Sequence, residues 1–197
     1  MTHHPVTTAA KRDRNALASL LAKAFIDEPA MSWMVPNEED RRRTFDRFFR
    51  AIVAGSLRNG IVLHTPDNRA VTLWRLPDQP SPSLYETLTG LPYMLPLLRC
   101  AGAKAKLMSE AVRQHWPRVP FRYLQFAGVE PGYQGKGMGG AVIKSGLTLA
   151  QKAGDPVYLE TAKPQNVALY QALGFEIIDE WTIDGSPLVF RSMLKES

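Results

Sequence analysis

Cysteine is almost missing from this chain of 197 residues, with Cys100 standing alone. A lone thiol excludes an intrachain disulfide and any metal site built from several cysteines. Histidine offers no substitute: neither His64 nor His115 has a partner at metal-ligand spacing, and no metal is expected. Long hydrophobic runs are absent too, and no stretch approaches the roughly 20 apolar residues of a membrane helix. The N-terminus has no charged segment leading into an apolar core, so no secretory signal is expected. These gaps point to the cytoplasm, with no membrane partner. The formal charge of +5 rests partly on Lys11-Arg12 with Arg14 and on Arg41-Arg42-Arg43. No long basic run interleaves with aromatics, so nucleic acid is not expected; these clusters suit solvated helix faces or a surface that attracts a polyanion.

What remains is the composition of an ordinary folded protein, long enough to bury a substantial core. Repeats, low-complexity segments and linkers are lacking, which predicts one α/β domain with a mixed sheet over 1–197, with 1–10 as a loose terminus. Helical apolar spacing runs from Asp13 to Ile26, with Leu17, Leu20, Leu21, Ala24 and Phe25 in phase. Asp27-Glu28-Pro29 stops it, and Met31 to Pro36 reads as an apolar loop. A second helix is predicted over Glu38 to Leu57, ended by Asn59-Gly60. A hairpin of 61–65 and 70–76 follows. Helical character then extends from Ser83 to His115, interrupted near Pro92 and Pro96. The remaining elements are a strand over 123–129, a helix over 138–153 closed by Gly154, a strand over 157–161, a helix over 166–173, and strands near 176–183 and 188–194.

The most informative stretch joins the strand at 123–129 to the helix at 138. Gln134-Gly135-Lys136-Gly137-Met138-Gly139-Gly140 puts four glycines into six residues. Glycine keeps side chains out of the way, and a helix N-terminus offers unpaired N–H groups and the positive end of its dipole to a phosphate. Two cofactors fit that description. Gly135-x-Gly137-x-x-Gly140 matches the dinucleotide fingerprint, and Glu160 stands about where a ribose-binding acid would. Yet Glu130 to Gln134 intervene between strand and first glycine, and the chain beyond the loop is too short for a doubly wound domain. A nucleotide-triphosphate loop fails on its glycine spacing and on the missing Ser or Thr after Lys136.

Val129-x-Pro131-x-x-Gln134-Gly135-x-Gly137-x-Gly139 resembles the Q/R-x-x-G-x-G/A motif of the GNAT superfamily of N-acetyltransferases. Asn166-Val167-Ala168-Leu169-Tyr170-Gln171-Ala172-Leu173-Gly174-Phe175 is similar to that family's segment in which Asn precedes a helix carrying Leu-Tyr and closing at Gly-Phe. Ala24-Phe25-x-x-x-Pro29 with Trp33 and Pro36, and His115-x-Pro117, resemble the branch that includes puromycin N-acetyltransferase. The chain departs from it at Phe121-Arg122-Tyr123-Leu124, where many relatives have His-Trp-Tyr-Leu. An acceptor contact made by that histidine therefore does not carry over.

The resemblance implies a central, mostly antiparallel, splayed sheet flanked by helices, with the acetyl-CoA-binding and catalytic half at 121–194. It implies acetyl-CoA as co-substrate, with the pyrophosphate on the amides of Gln134, Gly135, Lys136, Gly137, Met138, Gly139 and Gly140, and the pantetheine arm along Ala127, Gly128 and Val129. It implies Asn166 as a further cofactor contact, while its place before the helix also suits an N-cap. Tyr170 would donate a proton to the departing thiolate, as a phenol with pKa near 10 can at neutral pH. Glu160 is a candidate base, and Asp27, Glu28 and Trp33 are candidate acceptor contacts. The expected activity is direct acetyl transfer to an amine, of a small molecule in preference to a peptide, by a monomer or homodimer. The alternatives are a CoA-binding regulatory module without turnover and, remotely, a dinucleotide-binding oxidoreductase.

Overall fold

The computed structural model describes residues 4–197. Seven strands form one sheet in the order β1-β2-β3-β4-β5-β7-β6, and every neighbouring pair is antiparallel except β4 with β5. The strands are β1 (Thr7–Thr8), β2 (Gly60–His64), β3 (Ala70–Arg75), β4 (Arg122–Val129), β5 (Val157–Thr161), β6 (Glu176–Thr182) and β7 (Val189–Lys195). The helices are α1 (Arg14–Ala24), α2 (Pro29–Met34), α3 (Glu38–Asn59), α4 (Leu84–Gln114), α5 (Met138–Ala153) and α6 (Pro164–Ala172).

Four sequence expectations change. The stretch 4–10 is not loose throughout: Thr7 and Thr8 pair with His64 and Leu63, and Ala9 donates to the Val62 carbonyl at 2.9 Å. The apolar segment 31–36 is in fact mostly helix α2. Pro29 occupies its first turn, and the Glu28 carboxylate accepts from the Met31 amide at 2.9 Å, so the residues that stop α1 also start α2. Helix α4 runs through Pro92 and Pro96 without a break. The two prolines lie one turn apart, and the carbonyls they leave without an amide belong to the exposed residues Leu88 and Pro92, where water can serve them. Lastly, α6 begins two residues earlier than the spacing suggests, with Lys163 as its cap and Pro164 in its first turn, so Asn166 lies inside the helix and does not cap it.

Two packed layers hold the sheet. On one face, α1 and α3 bury Leu17, Leu21, Phe45, Phe49 and Val53 against Val71 and Leu73. On the other, α5 and α6 cover Trp74, Leu124, Ile143, Leu159 and Phe175. Helix α5 comes so near that Gly146 lies directly over the Trp74 indole. A buried ion pair fixes α4 to the sheet: both Arg75 Nη atoms donate to Glu86, at 3.1 and 2.6 Å, and Asn59 of α3 donates to the same carboxylate. Burial alone would raise the Glu86 pKa, but the Arg75 and Asn59 hydrogen bonds outweigh it and hold the pKa below its ordinary value.

Two helical glycines give opposite predictions. Gly146→Ala drives a methyl group into the Trp74 ring and should cost about 1–3 kcal/mol. Gly102→Ala in α4 meets nothing within 4 Å and should gain about 0.5–1 kcal/mol from the better helix former. Thermal melting checks both; two shifts of the same sign contradict the packing of α5 on β3.

Candidate active site

Strands β4 and β5 pair at only two positions, Arg122 with Val157 and Tyr123 with Tyr158. Beyond them the strands diverge, and β4 from Leu124 to Val129 has a partner only on the β3 side. An irregularity sharpens the opening. Opposite Leu73 and Trp74, β4 has one extra residue, Gln125, between Leu124 and Phe126. Strand alternation would put Leu124 and Phe126 on one face, but Leu124 packs with the α5 layer and Phe126 with the α1–α3 layer. The bulge therefore turns Phe126 toward the second layer.

A cavity of about 360 Å³ fills the fork. Tyr123, Gln125, Ala127 and Phe126 of β4 line it, with Glu160 of β5, Asn166 and Tyr170 of α6, and side chains of α2 and α4 opposite. One Glu160 oxygen accepts a hydrogen bond from the Tyr123 hydroxyl, while Oε2 is buried and has no partner. Burial pushes the Glu160 pKa up to about 7, against the opposing hydrogen bonds of Tyr123 and Tyr158. Tyr158 is itself held by Ser192, hydroxyl to hydroxyl at 2.8 Å, and Ser192 Oγ accepts from the Trp181 indole at 3.0 Å. Burial, then the nearby Glu160 and Glu28 charges, push the Tyr170 phenol up to about 12, so it stays protonated at neutral pH.

The glycine loop lies at the open end of β4. Gly135 and Gly137 have φ of +76° and +83°, and Gly137 caps α5. The first i→i−4 bond of α5 runs from the Ala141 amide to Gly137, so the amides of Met138, Gly139 and Gly140 precede the ladder and have no partner within it. A Cβ at Gly135 or Gly140 would meet nothing within 4 Å, so the space before the loop is open. Gln134 Nε2 donates back to the Val129 carbonyl at 3.4 Å, and His4 Nε2 to the Lys136 carbonyl at 2.8 Å. Tyr133 carries Arg69 at 3.8 Å and Lys136 at 4.5 Å from its ring centroid, keeping two cations beside the loop.

Of the residues picked out as acceptor contacts, only Glu28 lines the cavity. Burial raises its pKa despite the amides of Met31 and Ala30. Asp27 points into solvent, 3.4 Å from Arg41, and Trp33 turns away to donate to the Gly185 carbonyl at 3.3 Å. Glu28, the N-cap of α2, lines the cavity, whereas Asp27 just before it is exposed. Sequence reasoning missed Tyr123, Gln125 and Tyr158. Tyr123 and Tyr158 carry no signal beyond strand propensity, and the bulge at Gln125 breaks the alternation on which a strand reading depends. Among the described residues, no three His, Cys, Asp or Glu side chains gather as a metal site, and no helix is long and apolar enough to cross a membrane.

Residues 107–175, which span β4, the loop, α5, Glu160 and the whole α6 motif, match the Acetyltransferase (GNAT) family. An uncharacterized N-acetyltransferase of Schizosaccharomyces pombe is 27% identical over 190 residues, covering 85% of this chain and 74% of its own. Among solved structures, the "histone acetyltransferase HPA2 and related acetyltransferase" of Corynebacterium glutamicum superposes with a TM-score of 0.76 at 20% identity, over 99% of this chain and 97% of that one. Arylalkylamine N-acetyltransferase 2 of Aedes aegypti does so at 0.62 and 15%, over 99% of both chains. The structural likenesses carry the fold. The family match covers residues 107–175, which hold the motifs on either side of the fork.

Proposed function

We propose that this protein moves an acetyl group from acetyl-CoA to the primary amine of a small molecule, directly, with Glu160 as base and Tyr170 as acid. The observation that carries this reading is that Glu160, whose buried Oε2 has no hydrogen-bond partner, lines the same cavity as Tyr170. The family implies acetyl-CoA, and the residues present fit it. The amides of Met138 to Gly140, the Cβ-free loop and Lys136 suit a pyrophosphate, and the unpaired edge at Ala127, Gly128 and Val129 suits an amide-bearing arm. Asn166, one turn before Tyr170 on the same face of α6, would touch the same arm. Bound there, acetyl-CoA supplies the thioester carbon that the amine attacks.

Each residue then has one task. Glu160, with a pKa near 7, is partly ionised at neutral pH and takes the proton that the ammonium must lose before its nitrogen can attack. Tyr123 donates to the other Glu160 oxygen, which leaves Oε2 as the one without a partner. Tyr170, protonated up to about pH 12, would donate to the departing sulfur and be restored by the second proton that the nitrogen loses as the amide forms. Glu28 adds negative charge at the acceptor end. The segment from Ala24 to Pro36 resembles the puromycin N-acetyltransferase branch, which favours a small acceptor over a peptide. The exposed, unpaired Cys100 suits a reducing cytoplasm.

Tyr170→Phe should leave CoA-dependent thermal stabilisation unchanged and reduce kcat about 10²–10⁴-fold. Equal kcat in both proteins removes Tyr170 from the chemistry, and a CoA-binding regulatory module predicts no turnover in either. In the wild type, kcat/KM should fall as pH drops through about 7, where Glu160 takes up its proton.

Glu160 also makes a stability prediction. Its folded pKa lies above the ordinary value of 4.5, so its destabilisation is absent below about pH 4.5, grows as pH rises, and is complete above about 7. Glu160→Gln should therefore be inactive yet more stable at pH 8, by on the order of 3 kcal/mol. Melting at pH 5 and pH 8 checks this; an equal or lower melting temperature for the variant at pH 8 contradicts the burial of a charged Glu160.

A further inference from the structure

The donor arm accounts for the side of the cavity toward β4 and α6, and the α2–α4 side remains. Its walls there are Met31 and Met34 of α2, Met94 and Met108 of α4, Ile52 of α3 and Phe126 of β4. Four of the chain's seven methionines thus line one cavity. Met34 is buried and the other three are half-buried. An unbranched, polarisable thioether adapts its shape to an apolar ligand, and water against such a wall has little to bond. The lining includes three charged side chains. Arg113 is occupied, donating to Ser109 on its own helix at 2.9 Å. Glu28 gives an oxygen to the Met31 amide, and Glu160 keeps Oε2 free.

We infer that the acceptor is a primary amine on an apolar alkyl or arylalkyl body, with the nitrogen at Glu160 and the body along the methionine wall. This rests on the acetyltransferase reading above and names its substrate class. The two carboxylates favour a cationic amine. The wall rejects peptides, because each amide laid along it would leave an N–H and a C=O without a partner. The adaptable thioethers predict tolerance: body size matters more than exact shape, and several amines should be substrates.

The test is acetyl-CoA turnover with n-alkylamines from propyl to heptyl, with 2-phenylethylamine, and with glycinamide and alanyl dipeptide amides. We expect kcat/KM to rise about fourfold for each methylene until the cavity is full. 2-Phenylethylamine should fall among the better substrates, and the peptide amides at least a hundredfold below heptylamine. Met108→Gln should reduce the gain per methylene and Met108→Leu should keep it, in variants whose melting transitions show that they are folded. Transfer without chain-length dependence, or with peptide amides preferred, overturns this inference and leaves the acetyltransferase reading standing. No transfer to any amine by a protein that acetyl-CoA stabilises overturns both.

Discussion

Two backbone pairs, Arg122 with Val157 and Tyr123 with Tyr158, are all that join one half of the sheet to the other. A parallel pair this short needs outside support, and it has it. Arg122 donates to Asp155 at 3.0 and 2.5 Å, and its amide donates to the Pro156 carbonyl at 2.8 Å. Phe121, Tyr123, Tyr158 and Trp116 pack edge-to-face around the junction. The apex is rigid, so the strands beyond it can part without the sheet falling into two. The cavity, the free edge of β4 and the buried face of Glu160 follow from this divergence. Phe121 and Arg122 both serve the apex.

Opening a sheet leaves polar groups without strand partners, and burying a carboxylate inside the opening is unfavourable. The molecule tolerates this because the surrounding layers are strongly packed. Gly146 lets α5 sit on Trp74, Phe25, Phe49 and Phe126 form edge-on contacts across the other layer, and the Arg75–Glu86 pair anchors α4 as the far wall. The contrast between two glutamates is instructive. Glu86 meets a bidentate arginine and stays ionised, whereas Glu160 meets only phenols and is poised near neutrality. Burial raises both carboxyls; the arginine outweighs it at Glu86, and the phenols do not at Glu160.

Much of this was legible before any coordinates. The bounds of α5 and β5 follow from glycine punctuation and apolar spacing, and the motifs that resemble those of GNAT enzymes lie on both sides of the fork. The phosphate-loop geometry was implicit in the glycines, since Gly135 and Gly137 take the positive φ that other residues avoid. What stayed hidden depends on tertiary context. Helix α2 is too short for periodicity to show, and α4 overrides two prolines because its packing against α3 outweighs two missing amide bonds. The bulge at Gln125 reverses an alternation that sequence must assume to be regular. The turn into α2 brings Glu28 to the cavity and leaves Asp27 and Trp33 off it, which no spacing reveals.

The central claim is that the unpaired edge of β4 and the amides opening α5 hold one ligand together. Amide hydrogen exchange with and without CoA, resolved over 124–129 and 134–140, tests it most directly. We predict slower exchange in both segments at once, with little change in β2 and β6. Protection confined to the glycine loop, with β4 exchanging as in the free protein, would contradict the claim.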